Sequence, residues 1–439
     1  MYRWFLAWRY LLQRPINLLG VIAVTLAAWA LVVVVSIFSG YIVEIRRHVH
    51  ATTGDVVVNR LPVECSFARI APVLLADPNV AACAPRITWP GLLHPTGGVP
   101  AAAARPDSGE DSRFVHLIGI DPQAELAVSG LRAWLRAPER PELRVAEAEL
   151  LRPAGGDDDP VPSILLSERR LAVEGLQPGA RVDVTCTRLY TERTQSVELE
   201  TVRLAVQGAF GARFVMFDAT HALVHIDTMR ALLRMKVEDA CNEVVVALRD
   251  ESTAVETAAR LQRALADRLS VRDVGVYTWE ETNALFLSAV DHQRSLFKLI
   301  LFVIMVVAAF LMFATLSMMV TEKVHDVGIL TAMGATRFGV FQVFLACGLA
   351  IAATGAVLGV GVGCLTAVNL DGLNTWLRTT FGVDLFPTRI YNLEHVPFDL
   401  DPAWLLQVAG MALGVGAVVS GIPAWLASRH DPVESLRNE

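Results

Sequence analysis

Apolar residues are gathered into four long blocks of the chain instead of recurring every few residues. Each block exceeds the roughly 20 residues that an α-helix needs to cross a hydrocarbon core about 30 Å thick. A buried helix of a soluble protein rarely contains such a long uninterrupted apolar run. The pattern therefore predicts four transmembrane helices, at residues 16–38, 298–320, 340–368 and 404–427.

The long segment between the first two blocks, residues 39–297, has a different pattern. Runs such as "TGDVVVNR" and "NEVVVAL" are rich in β-branched residues, which is typical of strands. The run "TAVETAARLQRALADRL" has the period of an amphipathic helix. We therefore predict a large α+β domain of two lobes outside the membrane. The first lobe is predicted from residues 45–121 with 201–276, and the second from residues 122–200.

The basic residues near the ends of the blocks indicate the orientation of the chain. The short segments 1–15, 321–339 and 428–439 carry most of these Lys and Arg residues, whereas the loop 369–403 carries two arginines. The positive-inside rule then places the first three segments in the cytoplasm, and the large domain and the loop outside. The aromatic and leucine spacing of residues 1–15 also predicts an amphipathic helix that lies along the membrane surface.

The remaining chemistry of the sequence gives no indication of catalysis. It contains no G-x-x-x-x-G-K-[ST] motif and no Ser/His/Asp or Cys/His constellation, so we expect neither a nucleotide site nor an active site on this chain. His48 and His50 lack a third ligand, and the acidic run at 157–159 is typical of a solvated turn, so no metal is expected. The net charge of −7 gives no hint of nucleic acid. The cysteines of the outside segment can form disulfides there, with the pairing left open: Cys65, Cys83, Cys186 and Cys241.

The stretch "EKVHDVGILTAMGATRFG" at residues 322–339 separates the second and third blocks. Apolar residues recur at helical spacing, a glycine is placed to end the helix, and Thr336 can cap the next span. An apolar stripe beside acidic residues fits the groove of a partner protein, although a mere capped turn between two spans explains the pattern as well. The residues predicted to contact the partner are Glu322, Val324, Asp326, Val327, Leu330, Met333, Gly334 and Ala335.

Glycines recur at four-residue spacing in the third and fourth blocks. The third block contains Gly355 and Gly359, and the fourth contains Gly410 and Gly414. Small residues four apart allow the backbones of transmembrane helices to approach closely. This spacing predicts helix–helix packing and does not identify a partner.

The loop and two other stretches resemble a known family. The loop is similar to "E-[KR]-x-x-[DE]-[IV]-[GA]-[IV]-L-x-A-[ML]-G-A-[TS]" of the MacB/FtsX/Lol permease superfamily, and "DPVESLRNE" and "VHLIGIDP" resemble further stretches of it. The order of one span, a large domain and three more spans is also that of the family. The stretches "VVVVSIFSGYIVEIR", "TWEETNALFLSAVDHQRSLF" and "FPTRIYNLEHVPFDLD" are most similar to the lipoprotein-releasing permeases LolC and LolE.

This resemblance implies a multi-pass inner-membrane permease subunit of an ABC transporter, with a MacB-like domain in the periplasm. It implies a separate ATPase subunit that binds ATP and Mg²⁺, a second permease copy or homologue, and a lipoprotein cargo, while this chain binds no cofactor. Movement of the loop would be transmitted to the outside domain. The acyl chains of the cargo would enter a cavity lined by residues of the first span: Val24, Ala28, Val32 and Phe38.

Two alternatives come from the same superfamily. FtsX-like members signal to a periplasmic cell-wall hydrolase, and MacB-like members export toxins or antibiotics. MacB-type chains carry a fused ATPase domain, which this sequence lacks. LolC-like members also recruit a soluble chaperone through an extended hairpin, where this chain has the short "LYTERTQSVELE", so recruitment of a chaperone is left open.

Overall fold

A computed structural model describes residues 16–61, 64–95, 114–154, 160–187, 199–269, 274–383 and 396–429. The chain divides into two compact units. The membrane unit consists of Met1–Glu44 with Ser288–Glu439, and the sheet unit consists of Ile45–Leu287. The amphipathic helix predicted at 1–15, the acidic run at 157–159 and the stretch "DPVESLRNE" lie outside the described residues.

The elements are numbered along the chain. The helices are α1 (Ile16–Thr53), α2 (Phe67–Leu74), α3 (Pro122–Glu125), α4 (Leu131–Arg136), α5 (Glu168–Glu174), α6 (Val215–Thr220), α7 (Ile226–Leu232), α8 (Ala254–Leu269), α9 (Trp279–Thr282), α10 (Ala284–Glu322), α11 (Val324–Ala332), α12 (Arg337–Val368), α13 (Leu370–Phe381) and α14 (Pro402–Ala427). The strands are β1 (Val56–Asn59), β2 (Cys65–Ser66), β3 (Val80–Pro95), β4 (Phe114–Ile120), β5 (Ser163–Ser167), β6 (Arg181–Thr187), β7 (Leu199–Phe210), β8 (His221–His225), β9 (Ala240–Cys241), β10 (Glu243–Leu248) and β11 (Gly275–Thr278).

The four apolar blocks form four long helices: α1, α10, α12 and α14. Each is long and apolar enough to cross a membrane, so the prediction of four spans is confirmed. Two of these helices are longer than the predicted spans, because α1 continues to Thr53 and α10 begins at Ala284. Hydropathy marks only the part of a helix that suits lipid, and no proline interrupts either helix where its apolar block ends.

The sheet unit contains a nine-stranded sheet in which six strands form a closed ring: β3, β4, β8, β5, β7 and β6. Its order is β11-β1-β10-β3-β4-β8-β5-β7-β6, and β6 also pairs with β3. The long strand β3 belongs to the ring and also joins it to the rest of the sheet, because its two ends pair with different strands. Its first part, from Val80 to Arg86, pairs with β10, and its last part, from Gly91 to Pro95, pairs with β6.

The sheet groups its strands differently from the two predicted lobes. The segment 201–276 was assigned as a whole to the first lobe, but β7 and β8 lie in the closed ring with β5 and β6. The strands β5 and β7 pair in parallel, although they are separated along the chain by β6. Such long-range pairing leaves no mark on local residue periodicity, so the sequence did not reveal it.

The helix α8 covers the open end of the sheet, as its amphipathic pattern predicts. Ala258, Leu261 and Leu265 are buried in a cluster with β1, β10 and α2. Val255, in the first turn of α8, lies beside that face and is 66% exposed. The cysteines in this part of the domain are free thiols, and Cys65 lies opposite Cys241 in the β2–β9 pair.

Candidate functional site at the short helix between two spans

The short helix α11 is held at both ends by local contacts. At its start, Nζ of Lys323 lies 2.8 Å from Oδ2 of Asp326, in the first turn. At its end, Gly334 has a φ of +98°, a conformation that strains residues with a side chain, and the chain turns there. The hydroxyl of Thr336 then accepts a hydrogen bond of 3.1 Å from the backbone N–H of Gly339 and caps α12. The connection between the spans is therefore short and well defined.

The helix α11 has one buried face and one exposed face. Val327 is 4% exposed and packs in the hydrophobic core of the membrane unit, and Gly328 is buried beside it. The opposite face is exposed and consists of His325, Ile329, Ala332 and Met333. These residues share a face because Ile329 follows His325 by four positions, and Ala332 and Met333 follow Ile329 by three and four positions, in a helix of 3.6 residues per turn. Met333 is 81% exposed and Ile329 is 42% exposed.

Part of the predicted contact surface is buried. Val324 is half-buried and Val327 is fully buried, so the apolar stripe that was expected to meet a partner packs against the spans instead. Met333, Gly334 and Glu322 are exposed, and the side chain of Leu330 lies outside the described residues. His325 and Ile329 were missed, because a short helix with apolar residues on both faces does not reveal which face is covered.

The residues predicted to line a cargo cavity lie instead in a helix–helix contact. A Cβ added at Gly355 would lie 2.7 Å from Cβ of Val24. The corresponding distances are 2.6 Å from Gly359 to Ala28 and 2.8 Å from Gly363 to Val32. These three side chains of α1 therefore pack directly against Gly355, Gly359 and Gly363, which we call the glycine stripe of α12, and each of the three is almost completely buried. Val24, Ala28 and Val32 thus lie against α12, whereas Phe38 contacts Phe297 with ring centroids 5.0 Å apart.

The helices α12 and α14 also pack through small residues, but not through the predicted pair. A Cβ added at Gly348 would lie 2.2 Å from Cβ of Ser420, and one added at Gly416 would lie 2.4 Å from Cβ of Ala352. A Cβ added at Gly410 or Gly414 would meet nothing within 4 Å among the described residues. The glycine spacing on α14 therefore does not mark its contact with α12.

The last turn of α1 is firmly bonded inside the sheet unit. The carbonyl oxygen of Ala51 accepts a 3.0 Å hydrogen bond from the N–H of Gly130, and that of Thr52 accepts one of 3.1 Å from Nη1 of Arg86. Arg86 is also paired with Glu125, and both side chains are buried. The last turn of α1 is thus bonded to β3 through Arg86 and to the residue before α4 through Gly130.

The sequence of the membrane unit matches a known family model. The model, described as the FtsX-like permease C-terminal domain, matches residues 298–432. The lipoprotein-releasing system transmembrane protein LolC of Xylella fastidiosa strain Temecula1 is 26% identical, over 97% of this chain and 94% of the relative. Residues 298–432 therefore match an FtsX-like permease, and the chain as a whole is similar to permeases of the MacB/FtsX/Lol superfamily. With its four apolar helices, the permease is a multi-pass protein of the inner membrane.

Other relatives of the permease match over different lengths. LolC of Neisseria meningitidis serogroup B is 25% identical over 97% of this chain and 94% of the relative. The macrolide export ATP-binding/permease protein MacB of Escherichia coli is 24% identical over 45% of this chain and 28% of the relative. Among solved structures, the periplasmic region of MacB from Actinobacillus actinomycetemcomitans is 12% identical, with a TM-score of 0.33, and covers 56% of this chain and 97% of that one.

Proposed function

We propose that this permease is the transmembrane subunit of an ATP-driven complex that releases lipoproteins from the outer leaflet of the inner membrane. The observation that carries the proposal is the similarity to the LolC relatives, which extends over 97% of this chain. The similarity to MacB covers less than half of the chain, which favours lipoprotein release over export.

The partner that supplies the energy is a separate ABC ATPase subunit, which binds ATP and Mg²⁺ itself. Its contact on this chain is the exposed face of α11, formed by His325, Ile329, Ala332 and Met333. Apolar side chains on one face of a helix are the usual anchors for a groove in a partner. Because Val327 on the other face lies in the core of the spans, a push on α11 acts directly on that core.

The close packing of the spans favours transmission of movement. The contacts between α1 and the glycine stripe of α12 consist of short, closely packed side chains, which cannot take up a displacement of one helix by changing their own conformation. At the far end of α1, the bonds from Gly130 and Arg86 hold the helix to the sheet unit. A shift of α1 along its axis would therefore pull on β3 and α3. This is the route by which ATP hydrolysis would move the domain that extracts the cargo.

The cargo surface we propose lies on α10 and replaces the cavity residues predicted from the sequence. Its exposed apolar side chains are Leu299, Phe302, Val303, Val307 and Phe310. A second permease copy facing them would enclose a space for acyl chains. At about 0.8 kcal/mol per buried CH₂ group, transfer of acyl chains out of a bilayer requires an energy source, which the ATPase supplies.

Depletion of this permease in the cell that encodes it tests the proposal. We expect lipoproteins destined for the outer membrane to accumulate in the inner-membrane fraction, measured by density-gradient fractionation and immunoblotting. Restoring the permease from a plasmid should restore sorting. Correct sorting after depletion, with failure of cell division or of drug tolerance instead, would replace lipoprotein release with FtsX-like signalling or MacB-like efflux.

A further inference from the structure

Five polar or aromatic residues meet where α1, α10 and α14 come together, and we call them the polar cluster: Ser36, Ser39, Arg294, Lys298 and Trp404. All of them belong to the membrane unit. Nη2 of Arg294 donates a 3.1 Å hydrogen bond to Oγ of Ser39. Nζ of Lys298 lies 4.9 Å from the centre of the Trp404 ring. The two cations thus lie one turn apart on α10, each beside a neighbouring element.

The surroundings of the polar cluster are tightly built. The backbone N–H of Asp399 donates a 3.0 Å hydrogen bond to the carbonyl oxygen of Ser36. Gly40 lies so close to the same segment that an added Cβ would come within 2.5 Å of Cα of Phe398. The contact between Phe38 and Phe297 closes the space between α1 and α10 on one side. The cluster is therefore a fixed part of the fold and not a loose surface.

Three polar atoms of the cluster have no hydrogen-bond partner among the described residues: Nε of Arg294, Oγ of Ser36 and Nε1 of Trp404. Ser36 is 1% exposed and Trp404 is 8% exposed, so bulk water does not reach these side chains freely. Buried polar groups in folded proteins are almost always satisfied by some partner. Three such groups beside two cations indicate that the site has a ligand.

The charges of the cluster define the kind of ligand. Arg294 and Lys298 are four residues apart on one helix, an arrangement in which like charges repel each other. The acidic group that acts on Lys298 is Asp401, whose Oδ1 is already engaged with the N–H of Ala403 at the start of α14. Basic residues are also disfavoured on the outer side of a membrane protein by the positive-inside rule. A bound anion would offset both costs.

We propose that the polar cluster binds the phosphate group of a bilayer phospholipid. The cluster lies where the apolar block of α10 begins, which is the level at which lipid headgroups meet a span. A guanidinium, an ammonium, an indole N–H and a hydroxyl are all donors suited to phosphate oxygens. The lipid concerned is a resident of the bilayer, so the inference holds whichever cargo the permease moves.

Native mass spectrometry of the full chain in detergent tests the proposal. Phosphatidylglycerol, phosphatidylethanolamine and a diacylglycerol with the same acyl chains are added separately, and the dissociation constant of each is measured. We expect both phospholipids to bind and the diacylglycerol, which has no phosphate, to bind at least about tenfold more weakly. The double variant Arg294→Gln/Lys298→Gln should lose the same factor for both phospholipids. Arg378→Gln, which removes an exposed arginine of α13, is the matched control and should bind as the wild type does.

A single variant controls for misfolding of the double variant. Lys298→Gln removes the cation beside the Trp404 ring and leaves the hydrogen bond of Arg294 in place, so it should fold and still bind phospholipid, but several-fold more weakly than the wild type. Equal binding of phospholipid by Lys298→Gln, by the double variant and by the wild type would overturn the proposal. Equal binding of the diacylglycerol would overturn it as well. Millimolar inorganic phosphate should compete with both phospholipids. Binding of inorganic phosphate without binding of either phospholipid would identify free phosphate as the ligand and exclude a lipid site.

Discussion

Substitution of Gly359 by alanine should loosen the contact between α1 and α12. The new Cβ would lie 2.6 Å from Cβ of Ala28 and 2.6 Å from the carbonyl oxygen of Thr25. Carbon atoms in contact prefer separations of about 3.5–4.0 Å, so the two helices must move apart by roughly 1 Å. Overpacking of this kind costs about 1–3 kcal/mol. Part of that cost is offset, because alanine favours a helix over glycine by about 1 kcal/mol.

The matched control is Gly361→Ala, two residues further along the same helix. A Cβ at Gly361 would meet nothing within 4 Å among the described residues, so this variant gains only the helix preference. We expect the free energies of unfolding of the two variants to differ by about 1–3 kcal/mol, with Gly359→Ala the less stable. Unfolding is measured by titrating sodium dodecyl sulfate into the purified protein in a mild detergent and following tryptophan fluorescence. Equal stability of the two variants would refute the assigned packing of α1 against α12.

Three further predictions test other parts of the molecule. Met333→Lys, on the exposed face of α11, should reduce co-purification of the ATPase subunit without changing the thermal stability of the permease. Val327→Ala, on the buried face, should lower the free energy of unfolding by about 2 kcal/mol and keep the ATPase bound. The opposite pattern would reverse the assignment of the two faces. Burial lowers the pKa of His221 to about 4, so between about pH 6.5 and pH 4 the unfolded chain binds a proton that the folded chain does not. The free energy of unfolding should therefore fall by about 1–2 kcal/mol on acidification from pH 7 to pH 5. Chemical denaturation at the two pH values should show a smaller fall for His221→Gln than for the wild type. A membrane-impermeant thiol reagent on intact spheroplasts should label Arg378→Cys above the level of the unsubstituted chain and should not label Arg337→Cys; the reverse result would invert the orientation.

Much of the membrane unit could be predicted from the sequence because its signals are local. The length of an apolar block is enough to predict a span, and a glycine that follows residues at helical spacing, such as Gly334, is enough to predict where α11 ends. What each helix face contacts was harder to predict from the sequence. Apolar side chains in a membrane protein can face lipid, a cavity or another helix, and hydropathy does not separate these cases.

A signal for the correct assignment was nevertheless present. Val24, Ala28 and Val32 recur every four residues, which is the same spacing as Gly355, Gly359 and Gly363. Matching stripes of small residues are typical of helices in contact. In the sheet unit no comparable signal existed, because the ring of strands depends on pairings such as β4 with β8, which join residues about 100 positions apart. The polar cluster also escaped prediction, since its members come from three distant segments.

ATP-dependent release of a lipid-anchored protein from a reconstituted membrane tests the central claim most directly. The permease is purified together with its ATPase subunit and placed in proteoliposomes that carry a labelled lipoprotein. We predict that the lipoprotein leaves the membrane fraction when ATP and Mg²⁺ are added, with an acceptor protein present to receive it, and that it stays there with a non-hydrolysable ATP analogue. Retention of the lipoprotein in the membrane during active ATP hydrolysis would contradict the account.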